Sequence, residues 1–120
     1  MQQLLARHPE RKVRILVVWE PILATDWQSP SGSTMARISD QRVRQFWDPE
    51  HAVSGALNEF AKQTSSEPRP DCCVQKGIYW DEAILYATHA HWKDQPAAIF
   101  WNGPVMKAIP SLETALGELH

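Results

Sequence analysis

The sequence lacks the short motifs by which several large enzyme classes are identified. Its five glycines are scattered along the chain, so a glycine-rich phosphate-binding loop is absent. Neither a Gly-x-Ser-x-Gly nucleophile motif nor a His-Glu-x-x-His zinc motif occurs. The longest apolar run, Ile15 to Trp19, has only the length of a β-strand. These absences exclude the common signatures of phosphate-binding loops, serine hydrolases and zinc proteases, and they predict no membrane-spanning segment.

The charged residues show no strong excess of one sign. Twelve basic and fourteen acidic side chains leave a formal net charge of −2, and the lysines and arginines form no run. Nucleic acids and anionic membranes are bound through basic patches, so the sequence predicts neither partner. It predicts no cofactor either. The segment Met1 to Arg7 has no basic start followed by an apolar stretch, so a signal peptide is not expected and the expected compartment is the cytoplasm.

The sequence does contain an alternation of strand and helix patterns. Its 120 residues fit one domain, and we predict an N-terminal arm over residues 1–12 followed by a single domain over residues 13–120. Apolar segments predict four strands: Val13 to Trp19, Arg42 to Trp47, Glu82 to Ala87 and Ala97 to Trp101. A helix is predicted from Asp48 at the N-cap and Pro49 at the first helical position, and another over Leu112 to Leu119.

The first strand segment is nearly unbroken in its apolar residues, which is typical of a strand covered on both faces. We therefore expect Val13 to Trp19 to be a central, buried strand that runs parallel to Arg42 to Trp47. The last two strands are joined by a short link and are expected to be antiparallel. The predicted fold class is α/β, with a mixed four-stranded sheet and helices on both of its faces.

This order of elements resembles the thioredoxin-like superfamily. Val17-Val18-Trp19-Glu20-Pro21 looks like the end of the first thioredoxin strand, and Ile99-Phe100-Trp101-Asn102-Gly103 looks like its late hairpin. The resemblance implies a thioredoxin-like fold over about residues 13–119. The two cysteines that follow the first strand in that family are missing, and Tyr79-Trp80-Asp81 stands where the family has a proline. The resemblance therefore implies an atypical member, from which dithiol–disulfide oxidoreductase activity by the usual route is not expected.

The first candidate site is the loop after the first strand. Trp19, Glu20, Asp26 and Trp27 would place two carboxylates between two indoles. Open α/β sheets bind ligands at the carboxyl ends of their strands. We predict that this loop binds a protein partner or a small ligand. The alternative is structural, with Glu20 ending the strand, Asp26 forming a turn and both indoles packed in the core.

The second candidate is the adjacent pair Cys72-Cys73. Neighbouring Cα atoms lie ~3.8 Å apart, whereas disulfides ordinarily join Cα atoms about 4.4–6.8 Å apart. A bond between them would be readily reduced, so one hypothesis is a thiol-based redox sensor or a clamp for a soft metal, as an alternative to binding at the loop after the first strand. Two free thiols are the alternative. His89 and His91, which share one side of an extended segment, are weaker candidates to join the cysteines as metal ligands.

Six tryptophans are many for a chain of this length. A small domain has limited core in which to bury them. We therefore predict that at least one of Trp19, Trp27, Trp80 and Trp92 is exposed to solvent. Exposed indoles are frequent anchors of interfaces, so a homodimer, or more generally a homo-oligomeric structural protein, is a further possibility. No residue is predicted to be catalytic.

Overall fold

The computed structural model describes residues 1–21, 28–63 and 68–119. Within them, the helices are α1 (Gln2–Arg7), α2 (Gly32–Met35), α3 (Ala52–Gln63) and α4 (Val105–Glu118). The strands are β1 (Ile15–Trp19), β2 (Val43–Trp47), β3 (Val74–Gln75), β4 (Ile78–Tyr79), β5 (Ala83–Tyr86) and β6 (Ala98–Asn102), with a 3-10 turn at Trp92–Asp94. None of the helices in these ranges has the length and hydropathy needed to cross a bilayer.

The chain divides into two compact units, residues 1–53 and residues 54–120. The first unit contains α1, α2 and a parallel pair of strands, β1 and β2, in register from Ile15 opposite Val43 to Trp19 opposite Trp47. One residue further on, the backbone N–H of Asp48 donates to the Trp19 carbonyl over 2.7 Å. The carboxyl ends of the two strands therefore lie side by side.

Arg42, just before β2, holds the N-terminal segment in the first unit. Its guanidinium donates to the carbonyl oxygens of Leu5, His8 and Arg11 over 2.7–3.0 Å, and to Asp40 Oδ2 over 2.6 Å. Hydrogen bonds from the Arg42 side chain and backbone lower the pKa of Asp40 to about 2. Leu5, at 1% exposure, is buried by this arrangement. The segment predicted as an N-terminal arm is therefore packed within the first unit. A single domain over residues 13–120 stays a prediction.

The second unit is built on the antiparallel pair β5–β6, with α4 packed against both strands. Its buried apolar side chains are Leu57, Ala83, Ala98, Trp101, Ala108, Leu112 and Leu116. Three of them, Ala108, Leu112 and Leu116, recur along α4 at intervals of four, which places them on one face of that helix. The antiparallel pairing expected for the last two strands of the sequence is confirmed.

A small hairpin, β3–β4, was not predicted from the sequence. Its two-residue turn consists of Lys76 and Gly77, whose φ angles of 52° and 78° both lie in the left-handed region. Such turns match the twist of a hairpin, and glycine adopts this conformation without strain. A Cβ at Gly77 would also lie 2.9 Å from Asn58 Nδ2. The Lys76-Gly77 pair was the available sequence signal for this hairpin.

The predicted mixed four-stranded sheet, and with it the predicted thioredoxin-like fold, is wrong. The described strands form three separate two-stranded sheets, β1–β2, β3–β4 and β5–β6. The strand predicted as central pairs with β2 alone among them, and its Leu16 is 55% exposed. An apolar run does not specify how many strands flank it. Pairing with the next strand along the chain through a short loop has a small entropic cost, which favours hairpins such as β3–β4.

The starts of two predicted helices also differ from the structure. α3 begins at Ala52 rather than Pro49, because His51 has a left-handed φ of 57°. Asp48 still caps this helix, since its carboxylate accepts from the backbone N–H groups of Ala52 and Val53 over 3.0 and 2.9 Å. α4 begins at Val105, seven residues before the predicted start at Leu112, and contains Pro110 within the helix. Asp81 Oδ1 accepts from the Val105 N–H over 3.3 Å and so supplies an acceptor at the start of α4.

Candidate functional site

Cys72 and Cys73 form a disulfide bond between neighbouring residues. Both residues are half-buried, so the bond lies at the surface without being fully exposed. Neither cysteine is a free thiol, which makes the alternative of two free thiols wrong. The candidate site is therefore a single disulfide, which can accept two electrons, in the turn that precedes β3.

Asn102 anchors the residue before the disulfide. The Asp71 backbone N–H donates to Asn102 Oδ1 over 3.0 Å, and Asn102 Nδ2 donates to Asp71 Oδ2 over 3.2 Å. Asn102 is the last residue of β6, and its Oδ1 also accepts from the Gly103 backbone N–H over 2.9 Å. One amide side chain thus connects the end of the core hairpin to the start of the cysteine turn.

A second anchor follows the disulfide. The carbonyl oxygen of Cys73 accepts from the Trp80 backbone N–H over 2.9 Å. Cys73 has a φ of 69°, a conformation that non-glycine residues adopt only where surrounding contacts hold it. The chain then enters the β3–β4 hairpin, so the disulfide is held at both ends by backbone contacts that do not involve its sulfur atoms.

α3 holds the hairpin that follows the cysteines. The Ser54 hydroxyl oxygen accepts from the Tyr79 backbone N–H over 3.1 Å. Asn58 Nδ2 donates to the Gly77 carbonyl over 2.6 Å, and its Oδ1 accepts from the Tyr79 hydroxyl over 3.0 Å. The side chains of two successive turns of α3 therefore fix the turn and the second strand of the hairpin. Ser54 is buried at 3% exposure, which keeps water away from this contact.

Glu82 is a buried carboxyl close to the same region. Both of its oxygens are buried, and neither accepts a hydrogen bond from any described residue. It packs against the backbone of Gly103, where a Cβ would lie 2.7 Å from Glu82 Oε2 and 2.5 Å from the Asp81 carbonyl oxygen. Burial, and secondarily the negative charge of Asp81, raises the pKa of Glu82 to about 7. The protein therefore carries here a carboxyl group that changes charge near neutral pH.

The loop after β1 presents a different picture from the predicted binding site. Trp19 Nε1 donates to Gln45 Oε1 over 2.9 Å, so the indole N–H is engaged within the parallel pair of strands. Glu20 Oε2 lies 3.1 Å from His51 Nδ1. Asp26 and Trp27, the other half of the predicted site, lie outside the described residues. The described part of the structure thus brings Glu20 together with His51, which lies 31 positions further along the chain.

The weaker metal candidates do not converge. His89 and His91 are both exposed. Over the described ranges of the chain, no group of three or more histidine, cysteine or carboxylate side chains is placed to hold a metal ion. The spacing of His89 and His91 places them on the link before the 3-10 turn, and Cys72 and Cys73 are already bonded to each other. The four residues therefore form no common site in this structure.

Trp92 confirms the expectation of an exposed indole. It is 38% exposed, and its ring meets Phe60 and Tyr86 edge-on at centroid distances of 5.3 and 6.3 Å. Trp101, by contrast, is 3% exposed and lies 4.9 Å from the Tyr79 ring. Trp101 thus belongs to the core, whereas Trp92 lies at the surface.

Sequence reasoning did not identify Asp71, Glu82 and Asn102 as parts of the site. Asn102 was noted only as part of the segment that resembles a thioredoxin hairpin, and Glu82 only as the start of a strand. Their contacts join residues far apart in the chain, which local patterns do not reveal. No protein-family model, curated protein or solved structure matches this chain with significance, so the resemblance to the thioredoxin-like superfamily gains no support from relatives.

Proposed function

We propose that Cys72 and Cys73 form a reversible redox element, which is a vicinal disulfide opened by thiols and closed again by oxidants. The observation that carries the proposal is the disulfide itself, held in a half-buried turn by contacts on both sides of the sulfur atoms. This is a thiol-based redox function of the kind predicted for the pair, and it does not require the Cys-x-x-Cys arrangement of the thioredoxin family.

The reaction balances with a small dithiol as reductant. One thiolate of the reductant attacks a cysteine sulfur, the Cys72–Cys73 bond breaks, and the other cysteine leaves as a thiolate that takes up a proton. The second thiol of the reductant then attacks the mixed disulfide, which releases the remaining cysteine as a thiol. The protein gains two electrons and two protons, and the reductant becomes a cyclic disulfide. A small-molecule disulfide reverses the reaction by two exchanges.

The anchors support reversibility. Asn102 holds Asp71, and Trp80 holds the Cys73 carbonyl, through hydrogen bonds that remain available after the sulfur–sulfur bond opens. A reduced pair in a turn that keeps its shape stays close together, because its backbone has little freedom to lose on closing. The disulfide should therefore re-form within one molecule faster than it forms links between molecules.

Mass spectrometry of the intact protein tests the proposal. Treatment with dithiothreitol should add two hydrogens and two sites for iodoacetamide, and later exposure to oxidised glutathione should remove both without dimers. The variant Cys72→Ser/Cys73→Ser should show neither change, and Cys72→Ser alone should form a mixed disulfide with glutathione. A wild-type protein that carries two alkylatable thiols under oxidising conditions, or that forms mainly intermolecular disulfides, would contradict the proposal.

A second candidate is the capture of thiophilic ions by the reduced pair. Because no group of three or more histidine, cysteine or carboxylate side chains in the described structure is placed to hold a metal ion, the reduced pair offers two sulfur atoms as donors. Two thiolates suit soft ions that accept two-coordinate sulfur ligation, such as Hg²⁺, and they do not complete the four-ligand shell that structural zinc prefers. Titration of the reduced protein with Hg²⁺ and with Zn²⁺ separates these cases, since stoichiometric retention of zinc alone would contradict this candidate.

Binding of a protein partner or small ligand at the loop after β1 has less support. The polar groups of Trp19 and Glu20 that would face a ligand are engaged with Gln45 and His51. The alternative stated for these residues, a structural role at the strand end, accounts for both contacts. A change in Trp fluorescence on adding the ligand, lost in Glu20→Gln, would be the observation in favour of binding.

A further inference from the structure

We propose that the buried carboxyl of Glu82 controls the reactivity of the Cys72–Cys73 pair. The inference rests on the proposed redox function, and it assigns a regulatory residue to that site. Its basis is geometric: a carboxyl group with both oxygens buried and no hydrogen-bond partner among the described residues follows Trp80, one anchor of the cysteine turn, by two residues. The same carboxyl packs against Gly103, the neighbour of the other anchor, Asn102. Glu82 is a positioning and charge-controlling residue in this proposal, since it is not shown to touch the sulfur atoms.

The first connection runs through Trp80. Its backbone N–H is bonded to the Cys73 carbonyl, and Glu82 follows it by two residues. Two residues of chain span at most about 7 Å, so the Glu82 backbone lies within roughly 10 Å of the Cys73 carbonyl. A charge at that distance from the cysteine turn, on a carboxyl whose two oxygens are buried, is screened less than a charge in bulk water.

The second connection runs through the turn after β6. Asn102 bonds Asp71, the residue before Cys72, and the next residue, Gly103, packs against Glu82. The cysteine turn and the carboxyl are thus attached to two adjacent residues of one turn. Gly103 has no side chain, which is what allows Glu82 to lie so close to its backbone.

A negative charge on Glu82 should change the rate of disulfide reduction in one direction only. Asp81 is the charged group that acts on Glu82 among the described residues, and the charged residues nearest to the cysteines along the chain are Arg69, Asp71 and Lys76. When Glu82 loses its proton, a further negative charge is added near the disulfide. This charge disfavours both an approaching thiolate and a departing cysteine thiolate, so reduction becomes slower.

The test is the pH dependence of reduction by dithiothreitol, with each second-order rate constant divided by the fraction of the reagent present as thiolate. In the wild-type protein this corrected rate constant should fall by about three- to fifteenfold between pH 6 and 8. The midpoint should lie near the Glu82 pKa of about 7. In Glu82→Gln it should stay at the higher value across the range, and the matched control Glu118→Gln, at an exposed site on α4, should behave as wild type.

The outcomes separate this inference from the proposed function. A corrected rate constant that does not change with pH in the wild type, or that changes equally in Glu82→Gln, overturns the role of Glu82 while the redox element stands. A disulfide that dithiothreitol does not open in any variant overturns the redox element itself. Circular dichroism at each pH checks the fold of Glu82→Gln, and the wild-type profile alone decides the question where that variant is unfolded.

Discussion

Replacing Glu82 with glutamine should make the protein more stable at neutral and alkaline pH. The carboxyl is buried without a hydrogen-bond partner among the described residues, and ionising it in that place is unfavourable. Its pKa is accordingly raised from 4.5 to about 7 in the folded protein. Glutamine occupies nearly the same volume and carries no charge at any pH, so it removes the ionisation while keeping the packing against Gly103.

The direction in which the free energy of unfolding changes with pH follows from proton binding. Below about pH 4.5 the carboxyl is protonated in both the folded and the unfolded chain, and it has no pH-dependent effect. Between about pH 4.5 and 7 the folded protein keeps a proton that the unfolded chain releases, so the free energy of unfolding falls as the pH rises. Above about pH 7 the loss is complete and constant.

The magnitude can be worked from the same shift. A shift of about 2.5 pH units corresponds to ~3.4 kcal/mol at 1.36 kcal/mol per unit. Glu82 is only partly buried as a whole residue, so solvent screening reduces this to about 1–2 kcal/mol. The stability of Glu82→Gln relative to wild type should therefore increase by about 1–2 kcal/mol between pH 4.5 and pH 8.

Urea denaturation of the oxidised chain at several pH values measures this difference. The comparison across pH cancels any constant cost of placing an amide in the site. Glu118→Gln, at an exposed position on the same unit, provides the control and should show no such trend. A difference between Glu82→Gln and wild type that is independent of pH would refute the reasoning, since Glu82 would then ionise normally in the folded protein.

Three further substitutions test contacts on which the two units depend. Gly103→Ala should destabilise the protein by about 1–3 kcal/mol, because its Cβ would lie 2.5 Å from a backbone atom and 2.7 Å from a carboxylate atom. The control Gly117→Ala, in open space on α4, should instead stabilise the protein by about 0.5–1 kcal/mol. Equal effects of the two substitutions in urea denaturation would be inconsistent with close packing at Gly103. Asp48→Ala should cost about 1–2 kcal/mol through loss of the α3 cap, whereas Glu50→Ala at an exposed neighbour should cost little, and thermal unfolding compares the two. Asn58→Leu removes two hydrogen bonds to the β3–β4 hairpin and should cost about 2–3 kcal/mol by denaturant titration; a loss under about 0.5 kcal/mol would show that the hairpin does not depend on α3.

Several features of the protein were predictable because they depend on neighbours in the chain. Asp48 caps α3 through residues four and five positions further on, although the helix starts later than expected. The apolar segments that form β1, β2, β5 and β6 were located to within about two residues, since strand patterning is local. The parallel pairing of β1 with β2 and the antiparallel pairing of β5 with β6 also followed from segment order.

The arrangement of the strands into sheets was decided only by the tertiary structure. The apolar run of β1 predicted a central strand, yet Leu16 on that strand is exposed and β1 pairs with β2 alone among the described strands. The β3–β4 hairpin comprises two strands of two residues each, which are too short to produce a pattern. An alternation of apolar residues shows which side of a strand is buried, and it does not show which other strand provides the neighbouring backbone.

The candidate site was likewise predictable from the sequence only in part. The adjacency of Cys72 and Cys73 is a property of the sequence, which left two alternatives open, an unusual disulfide and two free thiols. Their anchoring depends on Asn102, which is 31 positions from Asp71 along the chain. The burial of Glu82 without a partner likewise depends on Gly103, which the fold brings against it. Hydrogen bonding and solvation are set by distances in space, so the chemistry of these groups was decided by the fold, whereas their identity was decided by the sequence.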